Sequence, residues 1–154
     1  MTRSFKVAIH PVDVLLVEDN SGDVRLTREA LKDAAVPIQL HVVPDGEEAM
    51  SFLSREGAYA QAPRPHLILL DLNLPKRDGR QVLKDIKENA ALSSIPVVVL
   101  TTSALEADIA AVYRLHANCF ITKPADFSGY FKVVQSIDSF WLSTVRLPQT
   151  AAPA

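Results

Sequence analysis

The 154-residue chain carries a single cysteine, no surplus of positive charge and no apolar run of membrane-spanning length. Each absence narrows what it can be. One thiol, Cys119, cannot close an internal disulfide, and its setting in ANCFIT reads as a small buried side chain, which favours a reducing cytoplasm. A formal net charge of −2 gives no electrostatic reason to expect nucleic acid or an anionic membrane as partner. The amino terminus, MTRSFKVAIHPVDVLLVED, starts basic but meets His10, Pro11 and Asp13 before any signal-like apolar core, and no stretch approaches the roughly 20 residues a transmembrane helix needs. The four histidines, His10, His41, His66 and His116, show no metal-ligand or catalytic spacing, and no EF-hand loop is present.

What is present is a globular composition, 48% hydrophobic and 22% charged, in a chain of one-domain length. Folding at that size hides about 70% of the unfolded surface. Five β-rich runs, at 12–17, 37–43, 66–70, 96–100 and 119–122, alternate with segments at 23–34, 46–57, 79–90, 104–116 and 126–147. The latter space their apolar residues by three and four, as helices burying one face do. Strands alternating with helices predict a doubly wound (βα)5 parallel sheet with helices on both faces, because parallel neighbours need right-handed crossovers. GAYAQAPRP (57–65) reads as a surface loop. The expected organisation is a tail over 1–10, one domain over 11–147 with an extended last helix, and a flexible tail over 148–154, with no output domain following.

The third strand ends abruptly in a charge. LILLDLNLP (67–75) runs through four aliphatic residues, as a strand buried on both faces would, and then reaches Asp71, a carboxylate that is costly to bury without a partner. In open parallel sheets ligands sit beyond the carboxyl ends of the strands. Those ends carry Glu18 and Asp19, Asp71 and Asn73, Thr101 and Thr102, and Thr122, Lys123 and Pro124. Singly, each has an ordinary explanation as a helix cap, a strand end or a surface lysine. Together, Glu18, Asp19 and Asp71 would repel one another unless a hard divalent cation neutralised them, and Mg2+, which takes few carboxylates and shares phosphate oxygens, fits best. Asp71 is then the best-placed nucleophile toward phosphorus. The resulting acyl phosphate would be balanced by Mg2+, by Lys123, and by the Thr101 hydroxyl with backbone N–H groups.

VEDN at 17–20, DLNLPKRDG at 71–79, VLTTS at 99–103 and ITKP at 121–124 resemble, in order and over nearly the whole chain, the receiver domain of two-component response regulators. The resemblance implies a flavodoxin-like five-stranded sheet. It makes Asp71 the phosphoacceptor, Glu18 and Asp19 the acidic pair, and Asn73 a metal ligand through its backbone carbonyl. Thr101 becomes the switch hydroxyl, Lys123 the phosphate-pairing lysine, and the Lys123–Pro124 bond is expected to be cis. Phe120 lies where the family keeps an aromatic rotamer switch, although a core Phe on strand five is as good a reading. Thr102 stands where many members carry Ala or Ser.

The same resemblance implies a signalling protein that is not an enzyme in the ordinary sense, catalysing only its own phosphotransfer and dephosphorylation. It takes a phosphoryl group from a sensor histidine kinase and is read by a protein partner. The last helix has more apolar breadth than one stripe requires, which predicts a homodimer through helix four, strand five and helix five, with Phe140, Trp141 and Leu142 in the interface. The alternative is that this helix is deeply seated, with Trp141 closing the core. The SFWLS end and the 57–65 loop resemble the small single-domain regulators paired with phytochrome-type kinases. Other classes fit less well. An aspartyl phosphohydrolase lacks a second acid at Asn73, a pseudo-receiver would be free to lose the acids, hydroxyl or lysine that are all kept here, and a dinucleotide-binding domain lacks G-x-G-x-x-G.

Overall fold

The computed structural model describes residues 11–148, so the expected tail over 1–10 and all but Pro148 of the tail over 148–154 lie outside the described residues. Five strands, β1 (Val12–Val17), β2 (Ile38–Val43), β3 (Leu67–Leu70), β4 (Val97–Thr101) and β5 (Cys119–Thr122), form one sheet in the order β2-β1-β3-β4-β5. Every pairing is parallel. The helices α1 (Ser21–Leu31), α2 (Gly46–Ser54), α3 (Gly79–Glu88) and α4 (Glu106–Arg114) supply the four crossovers, and α5 (Phe127–Ile137) follows the last strand. This is the doubly wound, flavodoxin-like architecture expected.

Alternation along the strands divides the core into two layers. Leu15, Val17, Ile68, Leu70, Val97 and Val99 pack with Phe52, Leu83, Ile86 and Val112 from α2, α3 and α4. Val14, Leu16, Leu67, Leu69, Val98 and Leu100 pack with Ala30 and Leu31 of α1 and with Tyr130, Val134 and Ile137 of α5. The central strands are sealed on both sides, and for this reason they read as unbroken aliphatic runs.

Several boundaries differ from expectation. Helix α1 starts two residues earlier than read, because the Asn20 side chain accepts from the Asp23 N–H and caps it. The segment 57–65 is only partly a surface loop: it holds a 3-10 turn at Gly57–Tyr59, and Tyr59 and Ala62 pack against the core. The continuous helix read over 126–147 stops at Ile137 and widens into a π-helical turn, Asp138–Leu142, closed by Val145 N–H donating to Phe140 O at 2.7 Å. The cause is local chemistry. The Ser139 hydroxyl donates to Ser136 O at 3.3 Å and Thr144 Oγ1 to Ser139 O at 2.7 Å, so side chains take carbonyls that a regular helix would use. The Lys123–Pro124 bond, expected cis, is trans, as is every peptide among the described residues; trans is the favoured state of an X–Pro bond.

Candidate functional site

The strand register brings the chemistry to one edge. Val17 lies beside both Val43 and Leu70, Leu70 beside Val99, and Thr101 beside Thr122. The residue that follows each strand end therefore meets its neighbours above the sheet. One carboxylate oxygen from each of Glu18, Asp19 and Asp71 lies within 4.8 Å of the others. Glu18 and Asp71 are buried, whereas Asp19 is open to solvent.

Lys123 enters this cluster from the end of β5. Its backbone N–H donates to Thr101 O at 2.7 Å, fixing the chain's exit from the sheet. Its Nζ donates to Glu18, to Asp71 Oδ2 at 3.2 Å and to Asp23 Oδ2 at 2.8 Å. Burial pushes the Glu18 carboxyl up to about 7, with the Lys123 ammonium pulling it back and the Asp71 charge adding to the rise. Burial works against the Lys123 charge, but hydrogen bonds to Asp23 and Glu18 and the charge of Asp71 outweigh it and hold the ammonium above its ordinary value. The cluster thus has two sides. Asp19 opens toward solvent, Lys123 closes the inside, and Glu18 and Asp71 belong to both.

Thr101 is fully buried, and its Oγ1 has no hydrogen-bond partner. A buried hydroxyl without a partner carries an uncompensated desolvation cost, and an incoming oxygen-rich ligand would relieve it. Thr102 is exposed. Asn73 is exposed too, and its backbone N–H donates to Asp71 Oδ1 at 3.2 Å, so the turn after β3 holds the Asp71 carboxylate in place. Phe120 is half-buried against the α2–α4 layer, and its backbone N–H donates to the Tyr113 hydroxyl at 3.1 Å. Of the residues read into the dimer interface, Leu142 is buried in the chain's own core, Trp141 packs against that core, and Phe140 is 55% exposed in edge contact with Trp141.

Sequence reasoning missed Asp23. It lies four positions after Asp19 on the first turn of α1, so its place at the same sheet edge was available as a signal. It also missed a clamp beside Thr101: Arg80 Nη2 on α3 donates to Asp108 Oδ1 on α4 at 2.6 Å, Asp108 accepts from Ser103 Oγ at 2.5 Å, and Thr122 Oγ1 donates to Ser103 O at 3.0 Å. These charges lie far apart in sequence, and only the packing of α3 beside α4 joins them. Two histidines pair near the start of the sheet, with His41 Nε2 2.9 Å from Asp13 Oδ1 and His66 Nδ1 accepting from the Asp13 N–H at 3.0 Å.

Residues 14–135 match the response regulator receiver domain pattern. The chain belongs to that family. As a receiver domain it is 54% identical over 138 residues to the response regulator Rcp1 of Synechocystis sp., covering 90% of this chain and 94% of that protein. The crystal structure of the Mn2+-bound form of Rcp1 superposes with a TM-score of 0.88, at 54% identity over 90% of this chain and all of that one. The phosphorylated cyanobacterial phytochrome response regulator RcpA gives the same TM-score and identity, over 91% of this chain and all of that one. Receiver domains bind a divalent metal, and the oxygen-only donor set of Glu18, Asp19 and Asp71 fits Mg2+. Receiver domains are signalling proteins whose partners are histidine kinases, and among the described residues no helix is long and apolar enough to cross a membrane.

Proposed function

We propose that this receiver takes a phosphoryl group on Asp71 from the phosphohistidine of a sensor kinase. The observation that carries the reading is the joint placement of Asp71 among Glu18, Asp19 and Lys123, beside a turn whose backbone N–H at Asn73 fixes its carboxylate. An Asp71 carboxylate oxygen attacks phosphorus, the P–N bond to the kinase imidazole breaks, and the imidazole takes up a proton as it leaves. Glu18, Asp19 and Asp71, with the Asn73 carbonyl, would hold Mg2+, which supplies charge neutralisation at the phosphoryl oxygens. Lys123 pairs with one phosphoryl oxygen, and the Thr101 hydroxyl, lacking any other partner, donates to another. Phe120, packed beside β4, follows the movement of Thr101. Water later attacks phosphorus in the same site and restores Asp71, so the chain turns over its own phosphate and no other substrate.

The similarity to Rcp1 and RcpA supports a phytochrome-type kinase as donor and a cytoplasmic location. A homodimer through α4, β5 and α5 is supported by the exposed apolar side chains Leu105, Tyr113, Phe127 and Phe140 on those elements and their flanks. Phe140, with the half-buried Trp141 beside it, replaces Leu142 as the contact the π-helical turn offers. A domain spanning 11–147 is the unit that carries these activities. The reading is tested by incubating the chain with a small phosphodonor and Mg2+ and measuring intact mass. One added phosphoryl group that vanishes in Asp71→Asn is expected, and equal labelling of that variant would refute the assignment.

A further inference from the structure

We infer that Asp23 is a positioning residue for the phosphoryl site, sharing the Lys123 ammonium with Asp71 and yielding it when a phosphoryl group arrives. The inference rests on the acceptor reading of Asp71. An ammonium has three protons to donate, and Lys123 Nζ already meets three carboxylates, those of Glu18, Asp23 and Asp71. The bond to Asp23, at 2.8 Å, is shorter than the 3.2 Å bond to Asp71. Asp23 therefore holds part of the charge that the acceptor needs.

Asp23 has no place in the cation cluster, which consists of Glu18, Asp19 and Asp71. Its backbone is firmly held. Its N–H donates to Asn20 Oδ1 at 3.0 Å, and its carbonyl accepts from Thr27 Oγ1 at 2.8 Å. Thr27 Oγ1 in turn lies 3.1 Å from the buried Tyr130 hydroxyl on α5. The carboxylate is thus presented to Lys123 from a helix tied to its neighbour α5 on the same face of the sheet.

A phosphoryl group on Asp71 takes over the proton that Asp71 Oδ2 accepts and offers further acceptors beside it, so an ammonium with no spare proton moves fully onto the phosphoryl oxygens only by loosening a second bond. Glu18 cannot turn to water, since its side chain is 1% exposed, while the Asp23 side chain is 24% exposed and can. Asp23 is the partner released. Its competition for Lys123 opposes phosphoryl binding, and removing its charge while keeping its shape strengthens that binding.

The test is titration of the full chain with beryllofluoride, a non-covalent phosphoryl mimic, at saturating Mg2+, followed by calorimetry. Asp23→Asn is expected to bind about three- to tenfold more tightly than the parent, the range for one charge-assisted hydrogen bond gained by the mimic. Asp23→Glu stays near the parent value. In a Lys123→Met background the Asp23→Asn change shrinks to less than about twofold, because the effect passes through the ammonium. Asp23→Ser, which keeps a hydroxyl at the start of the helix, carries the same expectation should the amide variant fold poorly. Equal or weaker binding by Asp23→Asn overturns the proposal, as does an undiminished gain without Lys123, which would mean simple charge repulsion. If the parent binds Mg2+ but not beryllofluoride, the acceptor reading falls and this inference with it.

Discussion

Replacing Gly79 by alanine should disable the site without touching any of its charged groups. Gly79 opens α3, and its N–H donates to Leu72 O at 2.9 Å, folding the 71–79 turn back onto the end of β3. A Cβ there would lie 2.6 Å from Leu72 Cα and 2.9 Å from Leu72 O, and closer still to the Asp71 carbonyl oxygen. Real Cβ atoms keep at least about 3.0 Å from such neighbours, and all three are backbone atoms that cannot rotate away. The turn must move by several tenths of an ångström, and it carries Asp71 with it. Overpacking of this kind costs about 1–3 kcal/mol, or roughly 3–10 °C in melting temperature for a chain of this size. Misplacing a reacting group by up to an ångström costs about 100-fold in rate. The assay pairs thermal unfolding with the rate of labelling by a small phosphodonor. Gly57→Ala is the control: nothing lies within 4 Å of its added Cβ, so only its φ of +57° penalises the change, costing about 1–2 kcal/mol with labelling unaltered. Parental labelling and melting in Gly79→Ala would show that the tight turn does not set the position of Asp71.

Thr101→Val should leave the resting fold as stable as the parent or up to about 1 kcal/mol more stable, since it removes a buried hydroxyl without a partner, yet weaken beryllofluoride binding; a large loss in chemical denaturation would contradict the first half. Glu18 holds its proton up to about pH 7 in the metal-free fold and only to its ordinary 4.5 when unfolded, so metal-free stability should fall as pH rises through that window. Below pH 7, Mg2+ must displace the proton, and calorimetry should show affinity dropping by about tenfold per pH unit; a flat profile from pH 7 to 5.5 would place the proton elsewhere. Leu142→Ala should cost about 2–4 kcal/mol in urea unfolding as a buried residue, while Phe140→Ala should stay within about 0.5 kcal/mol and shift any dimer toward monomer in sedimentation.

The middle of the sheet was legible because β3, β4 and the second half of β1 are sealed on both faces and so run as Leu, Ile and Val, which no half-exposed element would tolerate. The acids were legible because a charge at the end of such a run is expensive and asks for a reason. Other features depend on tertiary geometry. Apolar spacing could not show that Ser139 and Thr144 divert backbone carbonyls after Ile137, ending α5 early. Nor could it separate Leu142, which points into the core, from Phe140, which points away. Asp23 escaped notice because a carboxylate in a first helical turn already has a sufficient local reason, the helix dipole. Only the meeting of α1 with the end of β5 reveals its second partner, Lys123.

The most direct measurement is the position of the phosphoryl group itself. After labelling by a small phosphodonor with Mg2+, borohydride reduces an acyl phosphate to the alcohol, converting the labelled aspartate to homoserine that peptide mass spectrometry can locate. The account predicts homoserine at position 71, lost when the metal is chelated. Reduction product at Asp19, Glu18 or Asp23 instead, or undiminished labelling without a divalent cation, would contradict it.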